Sequence, residues 1–177
     1  MKTNYILIMA CTVLTGCATY TPPTSGSISS ITISALEPSA IDLSWREKSK
    51  INFAGQVDLC ISGSTYKTGK FISFVPTESL KKFSALTGEV EFYDTKIPAG
   101  AEVGVSIDHP FMDNSGVSYE CKPIVAFTPK PDKKYFASGK VSGRFCFINI
   151  LEWNGTEWMP LKETRQVDNC KKVGLAK

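Results

Sequence analysis

The sequence predicts an all-β protein, an antiparallel β-sandwich of about seven to nine strands. Apolar and polar residues alternate in many short segments, as in residues 41–45 and 103–107, and this two-residue period is typical of a half-buried strand. Clusters of Gly, Pro, Ser and Asn separate these segments and predict turns. An immunoglobulin-like and a transthyretin-like arrangement both agree with this pattern.

The predicted strands follow one another along most of the chain after residue 30. In chain order they are residues 31–34, 41–45, 57–61, 71–75, 90–92, 103–107, 119–127, 135–141 and 145–153. One short helix is predicted near residues 77–87, where the candidate N-cap Thr77 precedes apolar residues at about three-residue spacing. This helix is too short to change the fold class.

The segment "EWNGTEW" predicts a hairpin, because Asn154-Gly155 is the preferred pair of a two-residue type I′ turn. In that register Leu151 faces Trp158, and aromatic residues collect on one face. An aromatic face with a polar rim suits an envelope protein or a glycan. We therefore interpret four residues as a candidate binding surface: Phe145, Phe147, Trp153 and Trp158. The alternative is that both faces of the hairpin are covered and these rings are core.

The amino-terminal stretch predicts a cleaved export signal. Lys2 precedes an apolar run over residues 5–14, which is about half the length of a bilayer-spanning helix. A short apolar run behind a basic residue, ending in small residues, is typical of a secretory signal peptide. A buried first helix is the alternative, but "TPPTSGSISS" shortly afterwards separates the run from the rest of the chain.

The run ends in Leu14-Thr15-Gly16-Cys17, which resembles the lipobox of bacterial lipoproteins. The resemblance implies cleavage after residue 16 and acylation of Cys17 on its sulfur, as with palmitate, and on its new amino group. It also implies a periplasm-facing protein anchored by lipid in the outer membrane, since no Asp follows the cysteine. Residues 17–30, rich in Pro, Gly, Ser and Thr, are then expected to be a flexible tether before a domain over residues 31–177.

Four cysteines remain after the acylated one, and an even number in an exported chain predicts two structural disulfides. Four cysteines allow three pairings. We favour Cys60–Cys121 with Cys146–Cys170, because the second bond holds the carboxyl-terminal tail against the strand that carries Cys146. No pair has the spacing of a common zinc or redox site, so neither a metal nor another cofactor is predicted.

The sequence favours a binding or structural module over an enzyme, and it leaves the molecular activity open. His109 is the only histidine, and Asp108 and Ser115 lie near it in the sequence, but the chain has no Gly-x-Ser-x-Gly nucleophile motif for a hydrolase. Asp108, Asp113 and Asn114 do not match the spacing of a calcium loop.

A small basic turn is formed by Lys130, Lys133 and Lys134. It is interpreted as a solvated loop, with contact to anionic lipid or cell-wall polymer as the alternative. The net charge of +3 is spread along the chain and does not indicate a nucleic-acid partner.

Two further resemblances are short. The segment "AFTPKPDKKYFASGKVSGRFCFINILEW" followed by Cys170 resembles the carboxyl-terminal pattern of small, uncharacterised disulfide-containing lipoproteins of Gram-negative bacteria, although Asp132 stands where that pattern has glycine. The segment "SGSTY" at residues 62–66 is similar to an element of periplasmic lysozyme inhibitors, and this implies such an inhibitor as an alternative function.

Overall fold

The structure is a computed structural model that describes residues 18–34, 54–73, 89–90, 92–112, 118–142 and 145–174. Two β-sheets pack against each other, so the predicted all-β sandwich is confirmed. The described strands are, in chain order, β1 (Ala18–Thr19), β2 (Ile28–Ser34), β3 (Ala54–Ile61), β4 (Ser64–Ser73), β5 (Glu89–Val90), β6 (Phe92–Pro98), β7 (Val103–Met112), β8 (Ser118–Cys121), β9 (Ile124–Phe127), β10 (Lys134–Ser142), β11 (Phe145–Trp153), β12 (Trp158–Pro160) and β13 (Thr164–Val167).

The large sheet has the strand order β1-β4-β3-β7-β9-β13, with β5 paired to β4 and β8 paired to β7. The small sheet has the order β12-β11-β10-β2-β6. Most neighbours are antiparallel, as expected, but β2 pairs with β10 in parallel, and β1 and β5 both run parallel to β4. The strands exceed the predicted number for three reasons: β1 and β5 have only two residues, which is too short for alternation to be read, the predicted strand over residues 119–127 is divided into β8 and β9, and β13 was not predicted.

The core forms where the alternating apolar residues of both sheets face each other. In β7 the inward positions are Val103, Val105 and Ile107, and in β2 they are Ile31 and Ile33. Burial of every second side chain is what the two-residue period dictates. The other large contributions come from Val57, Leu59, Ile97, Val125, Phe127, Tyr135, Ile148 and Ile150.

In strand β9 all four residues are buried, and residues 103–107 of β7 are likewise buried on both faces. The outward residues of β9, Ile124 and Ala126, are covered by the carboxyl-terminal segment, a 3₁₀ turn over Cys170–Lys172 followed by Val173. Gly104 allows this cover, since a Cβ there would lie only 3.0 Å from the Cβ of Cys60 and 3.0 Å from a methyl carbon of Val173.

The structure has two disulfides, as predicted, but the favoured pairing was wrong. Cys60 is bonded to Cys170 and Cys121 to Cys146, with Cα–Cα distances of 5.1 Å and 6.0 Å. The prediction assumed that the tail returns to β11. Instead β13 pairs with β9 in the large sheet, so the tail that follows it lies over that sheet, where β3 carries Cys60.

The expectation of a flexible tether is also wrong for the described part of residues 17–30. Ala18 and Thr19 form β1 on the edge of β4, and the ring of Tyr20 is buried. Strand β2 begins at Ile28, three residues before the predicted strand. Cys17, the signal peptide and the predicted helix near 77–87 lie outside the described residues.

Candidate binding surface

The hairpin of β11 and β12 carries the predicted aromatic residues on one face, but its turn is wider than the sequence predicted. Trp153 is opposite Trp158, and the loop between them has four residues. The Asn154 side-chain oxygen accepts hydrogen bonds from the backbone N–H groups of Thr156 and Glu157, at 2.8 and 2.9 Å. An Asn side chain that captures backbone donors two and three residues on replaces the tight turn.

The wider loop shifts the register of β12 by two residues, so that Leu151 faces Pro160 instead of Trp158. A shift of two residues preserves the face on which each side chain lies, whereas a shift of one reverses it. The predicted face therefore survives an incorrect turn. Met159, the residue after Trp158, lies on the other side of β12 and is 46% exposed.

We define the aromatic surface as Phe147, Leu151, Trp153 and Trp158. It lies on the outer face of the small sheet, because the alternating residues Ile148 and Ile150 point into the core. Phe147 is 38% exposed, and the other three side chains are half-buried. The side chain of Phe145, the fourth predicted aromatic residue, is outside the described part of the structure.

The rings support one another. The ring centroids of Trp153 and Trp158 are 5.3 Å apart with planes inclined at 58°, and Trp158 contacts Phe136 of β10 edge-on at 5.7 Å. Tilted and edge-to-face pairs are the favourable aromatic geometries. Phe136 is only 5% exposed and packs against Trp158. Sequence analysis did not single out Phe136, although alternation with the inward residues Tyr135 and Ala137 places it on this face.

Polar groups surround the aromatic surface. The loop residues Asn154, Thr156 and Glu157 are exposed at one end. Asn149 is exposed on the same face between Phe147 and Leu151. Glu152, whose carboxylate lies 3.3 Å from the ammonium group of Lys133, is on the opposite face of β11 and is not part of this rim. An apolar centre inside a polar rim is the usual anatomy of a protein interface.

The basic turn joins β9 to β10 and is held by hydrogen bonds. The backbone N–H of Lys130 donates to the hydroxyl of Tyr135 at 2.9 Å, and Ser29 Oγ donates to the Lys130 carbonyl at 2.5 Å. Burial raises the pKa of the Tyr135 hydroxyl. Asp132 has a φ of 58°, in the left-handed region that favours glycine but admits Asp. The left-handed conformation explains why glycine stands at the position of Asp132 in the carboxyl-terminal lipoprotein pattern that this segment resembles.

The remaining candidates are described only in part. His109 lies in β7 opposite Cys121 of β8, and the Asp108 carboxylate lies 2.5 Å from the ammonium group of Lys122. Asp113, Asn114 and Ser115 lie outside the described residues. No group of three or more His, Cys, Asp and Glu side chains within the described ranges is placed to hold a metal ion.

The "SGSTY" segment forms part of the hairpin between β3 and β4. Ser62 and Gly63 have φ values of 49° and 75°, which are required at both central positions of a type I′ turn. Tyr66 packs against the core and contacts the ring of Tyr20, with centroids 6.3 Å apart. The hairpin turn thus accounts for Ser62 and Gly63, and packing against the core accounts for Tyr66.

A buried carboxyl group on the outer face of the large sheet was not found from the sequence. Asp58 is 3% exposed, and its carboxylate accepts a hydrogen bond from Gln56 Nε2 at 3.2 Å. Burial raises the pKa of this carboxyl, opposed by the positive charges of Lys122 and Lys67. Ser106, directly opposite Asp58 on β7, has a buried hydroxyl that makes no hydrogen bond in the described structure.

No protein-family model matches the chain, and no curated protein or solved structure is significantly similar to it. Within the described ranges, no helix is both long enough and apolar enough to cross a membrane. The features of this chain that indicate a function are the aromatic surface and the sequence motif at the amino terminus.

Proposed function

We propose that the protein is a lipid-anchored lipoprotein of the outer membrane, facing the periplasm, whose β-sandwich binds an envelope protein or a glycan. The resemblance of residues 14–17 to the lipobox supports the anchor at Cys17. The observation that supports binding is the aromatic surface: two tryptophans and Phe147 remain partly exposed on the outer face of the small sheet.

The aromatic surface suits binding because its rings are already held in place. Trp158 contacts Trp153 on one side and Phe136 beneath it, so little side-chain freedom is left to lose. Immobilising a rotamer-rich side chain on association costs about 0.5–1.5 kcal/mol, and a preorganised ring avoids much of this cost. Tryptophan is also among the residues that contribute most to interface energies.

The function is a binding or structural one in this proposal, not catalysis. The Asp108 carboxylate, which adjoins the only histidine in the sequence, is paired with Lys122. The tryptophans instead lie on one outer face with Leu151 and Phe147, on a sheet whose other face is core.

The test compares two neighbouring substitutions in the full-length lipoprotein in its own membranes. Trp158→Ala is expected to abolish crosslinking to the partner, while Met159→Ala retains it, because Met159 is the more exposed of the two side chains but lies on the other face of β12. Crosslinked products are identified by mass spectrometry, with protease-treated and glycosidase-treated samples separating a protein from a glycan. Equal crosslinking by both variants would contradict binding at the aromatic surface.

The anchor is tested separately. Mass spectrometry of the mature protein is expected to show an acylated amino-terminal Cys17, and Cys17→Ala is expected to move the protein out of the membrane fraction. An unacylated mature protein would contradict the lipoprotein proposal, whatever the result at the aromatic surface.

A further inference from the structure

The amino terminus joins the domain at one edge of the sandwich. Ala18 and Thr19 pair with Tyr66 and Lys67 on the outer edge of β4. The backbone N–H of Tyr20 then donates to the Lys67 carbonyl at 2.8 Å, and its hydroxyl donates to the carbonyl of Lys96 in β6. Tyr20 therefore connects the edge strands of both sheets. We call the surface formed by β1, β4 and β6 the anchor edge.

This arrangement leaves no spacer between an acylated Cys17 and the folded domain. Consecutive Cα atoms are about 3.8 Å apart, so the residue before Ala18 is bonded directly to a sheet strand. A flexible tether of about thirteen residues would instead have an end-to-end distance on the order of 20 Å. The acyl chains consequently draw the anchor edge, and not the domain as a whole, against the lipid headgroups.

The described side chains of the anchor edge suit an anionic surface. Lys67, Lys70 and Lys96 are exposed, and none forms an ion pair with a described carboxylate. Phe71 of β4 is 37% exposed beside them. Asp94 is an exposed acid here, and its carboxylate already accepts a hydrogen bond from Thr32 Oγ1 at 2.5 Å. Glu89 of β5 is the strand partner of Phe71, and the charge of Lys67 also acts on the buried carboxyl of Asp58 in β3. Basic residues beside a lipid anchor are attracted to anionic headgroups.

The opposite edge of the large sheet has a different charge arrangement. Arg165 of β13 forms two hydrogen bonds of 2.6 Å with the carboxylate of Glu102, and Lys172 pairs with Asp168 at 2.8 Å. The strand order puts five spacings between β1 and β13, which is about 24 Å at 4.8 Å per spacing. At physiological ionic strength this exceeds the Debye length of about 8 Å, so a membrane at one edge has little effect on the other.

We infer that the anchor edge is a membrane-contact surface, on which Lys67, Lys70 and Lys96 bind anionic phospholipid headgroups and Phe71 enters the interface. This inference rests on the proposed acylation of Cys17. It fixes the orientation of the domain: the edge formed by β12 and β13 points away from the membrane, and the aromatic surface on the small sheet stays accessible beside it.

Lysine acetylation followed by peptide mass spectrometry tests this orientation in the protein without substitutions. The acylated full-length product is added to preformed vesicles of phosphatidylethanolamine and phosphatidylglycerol, to vesicles of phosphatidylcholine alone, and to detergent micelles. Lys67, Lys70 and Lys96 are expected to react several-fold more slowly on the anionic vesicles than in detergent. Lys162, which is exposed between β12 and β13, is expected to react equally in all three.

Charge reversal provides the matched control. Lys67→Glu with Lys70→Glu is expected to restore acetylation of Lys96 on anionic vesicles, whereas Lys162→Glu leaves it slow. Equal reactivity of the anchor-edge lysines and Lys162 on anionic vesicles, or equal protection on neutral vesicles, would overturn the membrane-contact inference. Because acylation is verified by mass before labelling, either result leaves the lipid anchor itself standing.

Discussion

The two outer faces of this sandwich differ in how far their outward-facing apolar residues are buried. On the large sheet, Ile124 and Ala126 point outward but are buried by Val173 and the turn that carries Cys170. On the small sheet, the aromatic surface stays partly exposed over the buried ring of Phe136. The chain's own tail can bury outward-facing apolar residues, so they indicate a binding surface only where the tail does not cover them. Here the tail covers the large sheet and not the aromatic surface on the small sheet.

Removal of the Cys60–Cys170 disulfide is expected to have the largest effect on this contrast. The bond closes a segment with a sequence separation of 110 residues and holds the covering segment on β3. The chain-entropy relation gives about 4–5 kcal/mol for a loop of this size. The Cys60→Ala/Cys170→Ala double variant should lose free energy of unfolding on that scale in urea titration.

The second disulfide supplies the control for that experiment. Cys121–Cys146 closes a separation of 25 residues, so the same relation gives it a smaller contribution, about 3.5 kcal/mol. The Cys121→Ala/Cys146→Ala variant should also leave Val173 covered, as measured by hydrogen exchange at its amide. Exposure of that amide in both double variants would mean that the Cys60–Cys170 bond does not specifically hold the covering segment.

A substitution at Gly104 should loosen the packing of the carboxyl-terminal segment on the large sheet without breaking a covalent bond. A Cβ at this position would be 3.0 Å from both Cys60 and Val173, closer than side chains normally approach. Crowding of this kind in a packed region typically costs about 1–3 kcal/mol. Gly104→Ala is expected to lower the free energy of unfolding by this amount, measured by chemical denaturation.

A double-mutant cycle checks the cause of that loss. Val173→Ala removes one of the two close neighbours, so the Gly104→Ala/Val173→Ala variant should lose less than the sum of the two single losses. Strict additivity would show that Gly104 does not act through contact with the tail.

Sequence patterns predicted this fold because alternation reports burial, and burial determines which residues face inward. Val105 and Ile107 were placed correctly for that reason, and Trp158 kept its predicted face although the turn at Asn154 was read wrongly, because the register moved by an even number of residues. Patterns of period two tolerate this kind of error.

The elements that were predicted wrongly depend on strand order, which alternation does not report. Disulfide pairing requires two Cα atoms within about 7 Å, and the tail reaches Cys60 only because β13 pairs with β9. The Pro, Gly and Ser content after Cys17 was typical of a linker, yet Ala18 and Thr19 find an unpaired strand edge on β4. Such non-local pairings leave no mark in local composition.

The smallest expected effect concerns Asp58, next to the covered region. Burial raises the pKa of its carboxyl in the folded protein above the value in the unfolded chain, so the folded state binds the proton more tightly. By linkage, this group's contribution to stability is most favourable at low pH, falls as pH rises from the unfolded pKa through the folded pKa, and is level above that.

Asp58→Asn removes the titration while retaining an oxygen for the Gln56 hydrogen bond. The variant should be slightly more stable than the parent protein at neutral pH, with the difference shrinking as pH falls through the raised folded pKa of Asp58 and gone once pH is below the unfolded pKa of Asp, about 3.9. Urea titrations across that range measure it, and Asp94→Asn on the exposed β6 edge is the matched control, expected to show no such gain at neutral pH. A neutral-pH loss of stability in Asp58→Asn would mean that the charges of Lys67 and Lys122 outweigh burial, so that the covered face stabilises the ionised carboxylate.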